Sequence, residues 1–207
     1  DGLGYSVYVQ NGNTLDVTGA PNTGDVTVNN LTNTGYASGT IGSFVVESGW
    51  NMLGNPYPSS LDMIETQGPS IDPTLQIWHT AGSYQGTYQP VLIGSNAQLA
   101  PFQAFMVRNT LPNTSASFTF HHGTERTRGQ VPYYRQFNGS TLQIDVTGNN
   151  CADVTYVNFN QGSTDGYDLG LDADKILSKK HQSTLYTLMD ASSIRRMSIN
   201  SFDDVNT

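Results

Sequence analysis

Apolar and polar residues alternate along much of this chain, in short stretches separated by glycine, asparagine and proline. Alternation with a period of two places one set of side chains on each face of a β-strand. The clearest stretches lie at residues 5–9, 75–78, 116–120, 141–146 and 154–159. Turn signals such as Asn11-Gly12 separate them, and many short strands at this spacing are typical of a β-sandwich. We therefore predict an all-β fold.

The strands fall into two groups on either side of a charged stretch near residues 123–130. Residues 1–123 hold enough strands for a first sandwich of jelly-roll kind. Residues 124–207 are predicted to form a second, smaller immunoglobulin-like sandwich. That architecture has about seven strands, whereas four are convincing here, at 141–146, 154–159, 185–189 and 195–199. The second unit is therefore predicted to be incomplete, with an open edge that further chain or a partner strand would complete.

Stiff and special residues are densest at residues 49–62, GWNMLGNPYPSSLD. The first half predicts a strand with Trp50 and Met52 on one face. Two prolines then restrict the backbone to a turn, and the aromatic Tyr57 before Pro58 makes that peptide bond a candidate for the cis form. Such a stretch fixes the direction of the backbone, which is the task of a scaffold element.

The end of this stretch predicts a helix. Ser59 is followed three residues later by Asp62, as in a capping box, in which a hydroxyl and an acidic side chain satisfy the free amide groups of a helix start. The sequence therefore predicts a short helix over residues 61–65.

The same stretch closely resembles a GWN-L-GNPYPS-xD signature found in large proteins that bacteria export by type IX secretion. The resemblance extends over most of the chain, at residues 5–28, LAPFQAFMVR at 99–108, DVTYVNFNQGSTDGYDLGLDADKI at 153–176, and residues 185–200. It implies a β-rich region of an extracellular or cell-surface protein, upstream of a C-terminal sorting domain. Implied partners are the neighbouring domains of that protein and the type IX secretion machinery. Asp1 is then expected to be a cut point within a longer exported protein, and no enzymatic activity comes with the resemblance.

Composition and charge exclude several classes of function. Only 13% of the residues are charged, and the net charge is −8. This charge disfavours binding to nucleic acid or to anionic membrane surfaces. The chain has one cysteine, Cys151, so it has no intrachain disulfide framework. It also has no apolar run long enough for insertion into a membrane.

The strongest candidate for metal chemistry is an acidic cluster in GSTDGYDLGLDADKI. Its carboxylates are Asp165, Asp168, Asp172 and Asp174. Calcium prefers oxygen ligands of this kind, so the cluster is a candidate calcium site, the one cofactor that the sequence suggests. The spacing differs from that of an EF-hand loop. The alternative is a surface loop in which the aspartates cap turns.

The strongest candidate for ligand binding is a hairpin with aromatic residues on one face. Trp78, Tyr84 and Tyr88 lie on its two strands, and such rings stack on sugar rings in recognition sites. The alternative is a cross-strand ladder of aromatic residues that packs beneath another sheet. The exposure of Trp78 distinguishes the two.

No catalytic set can be assembled from the sequence, so the chain is predicted not to be an enzyme. His121 and His122 end a strand, and their side chains should point to opposite faces, which prevents joint binding of one metal. Cys151 with His181 has no local support as a nucleophile and base. A buried small hydrophobic role suits the cysteine better.

The sequence therefore predicts a structural or adhesive module of a large exported bacterial surface protein. The alternative is a carbohydrate-binding module attached to an exported hydrolase. Beyond the neighbouring domains, the expected partner is a surface protein or a glycan.

Overall fold

The computed structural model of the chain describes residues 2–6, 18–34, 48–65, 67–82, 85–94, 98–127, 140–148, 151–176, 184–189 and 195–203. The structure is 55% strand and 3% helix, with several antiparallel sheets packed together, which confirms the predicted all-β sandwich fold. Among the residues just named, no helix is long and apolar enough to cross a membrane.

The elements are one helical turn, α1 (His122–Glu125), and the following strands: β1 (Val26–Asn33), β2 (Trp50–Gly54), β3 (Ser60–Asp62), β4 (Thr74–Gly82), β5 (Gln85–Leu92), β6 (Gln98–Leu99), β7 (Ala104–Arg108), β8 (Thr114–Phe120), β9 (Arg126–Thr127), β10 (Ser140–Gly148), β11 (Cys151–Phe159), β12 (Ala173–Asp174), β13 (Thr187–Leu188) and β14 (Arg196–Phe202).

The strands before residue 128 form three sheets. These are a four-stranded sheet in the order β2-β7-β4-β5, a two-stranded ribbon of β1 and β8, and a three-stranded sheet in the order β6-β3-β9. The strands after residue 139 form one further sheet in the order β10-β11-β14-β12, in which β13 also pairs with β14. In this last sheet β11 and β14 are parallel. The four strands predicted for the second group are all present, and the short β12 is an addition.

The main hydrophobic core lies between the four-stranded sheet and the smaller sheets that cover one of its faces. Phe105 of β7 packs against Phe118 and Phe120 of β8, with ring centroids 5.8 and 6.1 Å apart. Leu75 and Ile77 of β4 belong to the same core. A second, small cluster in the sheet after residue 139 consists of Val154, Tyr156, Ala173 and Ile199.

The strand predicted for the first half of GWNMLGNPYPSSLD is β2, which pairs in full with β7. Gly49 precedes it with a positive φ of 91°. A Cβ atom at this position would lie 2.1 Å from the carbonyl oxygen of Asn109, and the Asn109 amide donates a 2.9 Å hydrogen bond to the Gly49 carbonyl. Only glycine fits so close an approach of two backbones.

The turn after β2 depends on the buried side chains of Asn55 and Tyr57. The Asn55 amide group donates to the carbonyl oxygens of Ser59 and Ala100, both at 2.9 Å, and its oxygen accepts the Tyr57 amide at 3.0 Å. The Tyr57 hydroxyl lies 2.8 Å from the carbonyl oxygen of Gly24. The turn therefore ties the four-stranded sheet to the chain on both sides of it.

One prediction made for this stretch is wrong, and the candidate cis bond is decided. The Tyr57–Pro58 bond is trans, and the Asn55 side chain accepts a hydrogen bond from the Tyr57 amide within the turn. The helix predicted over residues 61–65 is absent, because residues 60–62 are the strand β3, which pairs with β6 and β9. Leu61 and Met63 are both buried, at the spacing of two that a strand requires.

Leu61 provides a test of this arrangement, because it is 0% exposed at the centre of the three-stranded sheet. We expect Leu61→Ala to lower the free energy of unfolding by about 2–5 kcal/mol, as other buried leucine truncations do. Leu111→Ala is the control, since Leu111 is 51% exposed, and we expect a change within about 0.5 kcal/mol. Denaturant unfolding followed by tryptophan fluorescence measures both, and equal effects would contradict the assigned burial.

Candidate functional site

The four-stranded sheet carries polar side chains on the face that is turned away from the hydrophobic core. On β4, Leu75 and Ile77 enter the core, so the alternate residues Thr74 and Gln76 point the other way. Both are buried, and they donate hydrogen bonds to the carbonyl oxygens of Asp172 and Asp174. We call the polar groups that meet here the interface network; its members are Asp72, Thr74, Gln76, Arg108, Tyr167, Asp172, Asp174 and Arg195.

Asp174 is the centre of the interface network. Its carboxylate accepts a hydrogen bond from the Arg108 guanidinium, which comes from the last residue of β7. It also accepts two hydrogen bonds from Arg195, at 2.6 Å from Nε and 2.7 Å from Nη2. The side chains of Asp174 and Arg108 are almost fully buried, and that of Arg195 is mostly so. One carboxylate therefore joins a cation from the first group of strands to a cation beside β14.

Tyr167 extends the network from Arg195 to Asp72. The Arg195 guanidinium carbon lies 3.4 Å from the centroid of the Tyr167 ring, in cation–π contact. The Tyr167 hydroxyl donates a 2.9 Å hydrogen bond to one oxygen of Asp72. The other Asp72 oxygen accepts the Thr74 amide at 2.9 Å. Tyr167 thus links Arg195 with Asp72, two residues that are far apart in the sequence.

A second buried ion pair lies beside the network. Lys175 Nζ is 2.6 Å from the Asp153 carboxylate and 2.7 Å from the Val154 carbonyl oxygen. Asp153 also accepts hydrogen bonds from the Thr87 hydroxyl of β5, at 2.5 Å, and from the Leu185 amide, at 2.7 Å. This pair connects β11 with β5.

Burial shifts the ionisation of several of these groups. Burial raises the pKa of Asp72, although hydrogen bonds from Thr74 and Tyr167 act against that rise. Burial also raises the pKa of Tyr167, and the nearby Asp72 carboxylate raises it further, so the phenol stays protonated and acts as a donor. Burial lowers the pKa of Lys175, and its contact with Asp153 opposes this. Most donors and acceptors of the network are therefore paired within the fold, although Gln76 Oε1 is buried without a hydrogen-bond partner among the described residues.

The four aspartates of the predicted calcium site are not brought together. Asp168 accepts hydrogen bonds from the amide and hydroxyl of Thr164. Asp172 accepts the amides of Asp168 and Ser201, both at 2.7 Å. Asp174 belongs to the network, and Asp165 is exposed. Within the described ranges no three histidine, cysteine or acidic side chains gather to hold a metal ion, and a calcium site at these residues stays a prediction.

The predicted aromatic hairpin is formed by β4 and β5. Trp78 and Tyr88 are directly opposite each other, with ring centroids 5.0 Å apart and planes at 68°. Trp78 is 41% exposed, so no other sheet covers it, while Tyr88 is half-buried. Tyr84 lies outside the described residues.

The two neighbouring histidines lie just beyond β8 and contact different groups. His121 Nδ1 is 3.4 Å from the Asp25 carboxylate. His122 is the first residue of α1, and its ring packs against that of Tyr57 at 5.6 Å. The expected strand therefore ends one residue earlier, but the two rings still diverge. Cys151 begins β11, while its side chain and His181 lie outside the described part of the chain.

Sequence reasoning included Asp172 and Asp174 in a candidate site but missed their partners Asp72, Arg108, Tyr167 and Arg195. The signal that points to Arg108 is the small number of charged residues in the chain. With only nine Lys and Arg residues in the chain, an arginine at the end of the apolar strand Phe105-Met106-Val107 predicts a buried cation with a specific acidic partner.

Asp174 and Asp165 form a matched pair for testing the network, since they differ in burial within one segment. Asp174→Asn removes the charge that compensates Arg108 and Arg195, and we expect it to lower the free energy of unfolding by about 3–5 kcal/mol. Asp165→Asn should change it by less than about 0.5 kcal/mol. Urea unfolding measures both variants, and a small effect of Asp174→Asn would show that the ion pairs are not required.

Known proteins offer no assignment for this site. No protein-family model, no curated protein and no solved structure matches the chain. Conclusions about function therefore rest on the contacts of the interface network and of the aromatic pair.

Proposed function

We propose that this chain is a structural or adhesive module of a large exported bacterial surface protein, secreted by the type IX system. The observation that carries the proposal is the interface network. Asp174 joins Arg108 of the four-stranded sheet to Arg195 beside β14, and so holds two groups of strands in one orientation. A module that spaces its neighbours needs such a fixed orientation.

The chemistry of the network favours this structural role over catalysis. A general base needs an accessible carboxylate near a substrate proton, whereas Asp72, Asp172 and Asp174 all accept hydrogen bonds from the protein. A nucleophile needs activation by a neighbouring base, whereas Tyr167 keeps its proton and donates a hydrogen bond to Asp72, and burial raises its pKa. The three aspartates and Tyr167 are therefore hydrogen-bonded to other groups of the protein.

The signature at residues 49–62 supports the exported class. Three residues of this signature, which resembles that of type IX cargo proteins, have scaffold contacts. Gly49 allows two backbones to approach, and Asn55 and Tyr57 donate hydrogen bonds to distant carbonyl groups. The net charge of −8 and the single cysteine agree with a surface module that needs neither nucleic acid nor disulfides.

Surface labelling of the source bacterium tests this proposal. We expect antibodies raised against the chain to label intact cells, and the label to disappear from the surface in a strain that lacks a functional type IX secretion system. An antibody against a cytoplasmic protein is the control for cell integrity. Labelling that requires lysis of the cells would contradict the proposal.

A second candidate function is carbohydrate binding, and the exposure of Trp78 favours it. A 41% exposed tryptophan braced at 5.0 Å by Tyr88 presents a rigid apolar ring to solvent. Sugar rings bind such surfaces because their apolar faces stack on aromatic rings.

A glycan array with matched variants tests this second function. If the aromatic pair binds sugar, Trp78→Ala should abolish binding of any retained glycan, or weaken it at least about tenfold. Phe102→Ala is the control, because Phe102 is another exposed aromatic residue outside the hairpin. Absence of binding by the parent chain, or an equal loss in both variants, would exclude the aromatic pair as a sugar site.

A further inference from the structure

The strand β10 is an edge strand that is exposed on both of its faces. It is nine residues long, and all nine pair with β11 on one side. Among the strands that the structure describes, β11 is its only neighbour. Leu142 is 52% exposed and Ile144 is 39% exposed on one face, while Gln143 and Asp145 are exposed on the other.

The outward edge of β10 carries, at alternate residues, pairing positions that no other described strand occupies. A two-residue connection joins Gly148 to Cys151, and the closing pair of such a hairpin exchanges backbone hydrogen bonds. Pairs that exchange these bonds alternate with pairs that do not. The even-numbered residues of β10 therefore bond to β11, and Thr141, Gln143, Asp145 and Thr147 direct their amide and carbonyl groups outward.

Natural edge strands are usually protected by lysine, proline or a bulge, and β10 has none of these. Its sequence contains neither lysine, arginine nor proline, and its register with β11 is continuous. One face carries Leu142, Ile144 and Val146, and the opposite face carries polar side chains. The strand is thus suited to pairing with a second strand of the same pattern.

We propose that β10 pairs antiparallel with β10 of a second copy of this chain, about a two-fold axis through Ile144. In this register Ile144 faces Ile144, and Leu142 faces Val146 of the other copy. On the opposite face Gln143, whose amide donates to Asp145 of its own chain at 2.9 Å, lies across from Asp145 of the other copy, so the second hydrogen of that amide is offered to the other carboxylate. The outward backbone groups of residues 141, 143, 145 and 147 all find partners, and the sheets of the two copies become continuous.

The neighbouring registers are less favourable. Centring the pair on Asp145 would place two carboxylates directly opposite each other, which destabilises a cross-strand pair. Centring it on Gln143 would leave Val146 opposite Ser140 and would lose an apolar contact. A shift by one residue would place the apolar face of one copy against the polar face of the other. Complementarity of apolar and charged positions therefore selects both the partner and the register.

Solution measurements on the whole chain test the dimer. We expect sedimentation equilibrium to show a concentration-dependent dimer. Ile144→Asp should weaken it at least about tenfold, because two carboxylates would face each other where apolar side chains meet. Leu111→Asp is the control, since Leu111 is another exposed apolar residue, 51% exposed against 39% for Ile144, and it should leave the dimer unchanged. Circular dichroism and thermal melting confirm that each variant folds.

Disulfide capture tests the register without relying on the aspartate variant. With Cys151→Ser removing the only cysteine, Ile144→Cys should form a cross-linked dimer under mild oxidation. Leu142→Cys should not, since the two copies of residue 142 would lie about 13 Å apart along the strands. Capture through residue 143 or 145 instead would overturn the proposed register.

A chain that stays monomeric at all concentrations, or a dimer that Ile144→Asp does not weaken, would overturn the proposal. The inference goes beyond the proposed function and does not depend on it. Surface labelling of cells and the association of purified chains fail separately, so each result is assigned to its own hypothesis.

Discussion

The contact between Asp174 and its two arginines determines how the two groups of strands can be arranged. A hydrophobic core tolerates several packings of similar volume, whereas a buried carboxylate must find its cations or leave them uncompensated. Arg108 ends β7, Arg195 precedes β14, and Asp174 lies between them in β12. Because a buried ion pair contributes little more than well-packed apolar residues would, its main effect here is to specify one orientation. Gln76 and Tyr167 add hydrogen bonds that require the same orientation.

The stretch GWNMLGNPYPSSLD has a comparable role within the first group of strands, although its chemistry differs. Gly49 lets two backbones approach where a Cβ atom would overlap Asn109. Asn55 uses both its donor and its acceptor to close the turn. The buried ring of Tyr57 carries its hydroxyl to backbone carbonyl groups of two other segments. These three residues therefore each meet a backbone requirement.

Local patterns predicted most of the fold, because alternation and turn chemistry act within a few residues. They identified β4, β5, β10 and β11 and the hairpin that carries Trp78 and Tyr88. They failed where contacts between residues far apart in the sequence determine the structure. The capping-box pattern at Ser59 predicted a helix, but these residues form the strand β3 instead. That strand pairs with β6 and β9, whose residues lie much later in the sequence. The sequence makes Asp174 a candidate calcium ligand or part of a surface loop, and it does not reveal the partner Arg108, which is 66 residues away. No local rule connects a carboxylate with a guanidinium at that separation.

The polar character of the face that Asp174 covers has a consequence for the order in which the chain is made. Asp174 follows Arg108 by 66 residues, so at about 5–20 residues per second the guanidinium waits roughly 3–13 seconds for its carboxylate. An apolar face left open for that time would attract other unfinished chains. Thr74, Gln76 and Arg108 are instead polar, so they lose no hydrogen bonds while they face water before β12 covers them. The nascent first group of strands can therefore remain dispersed while the rest of the chain is synthesised.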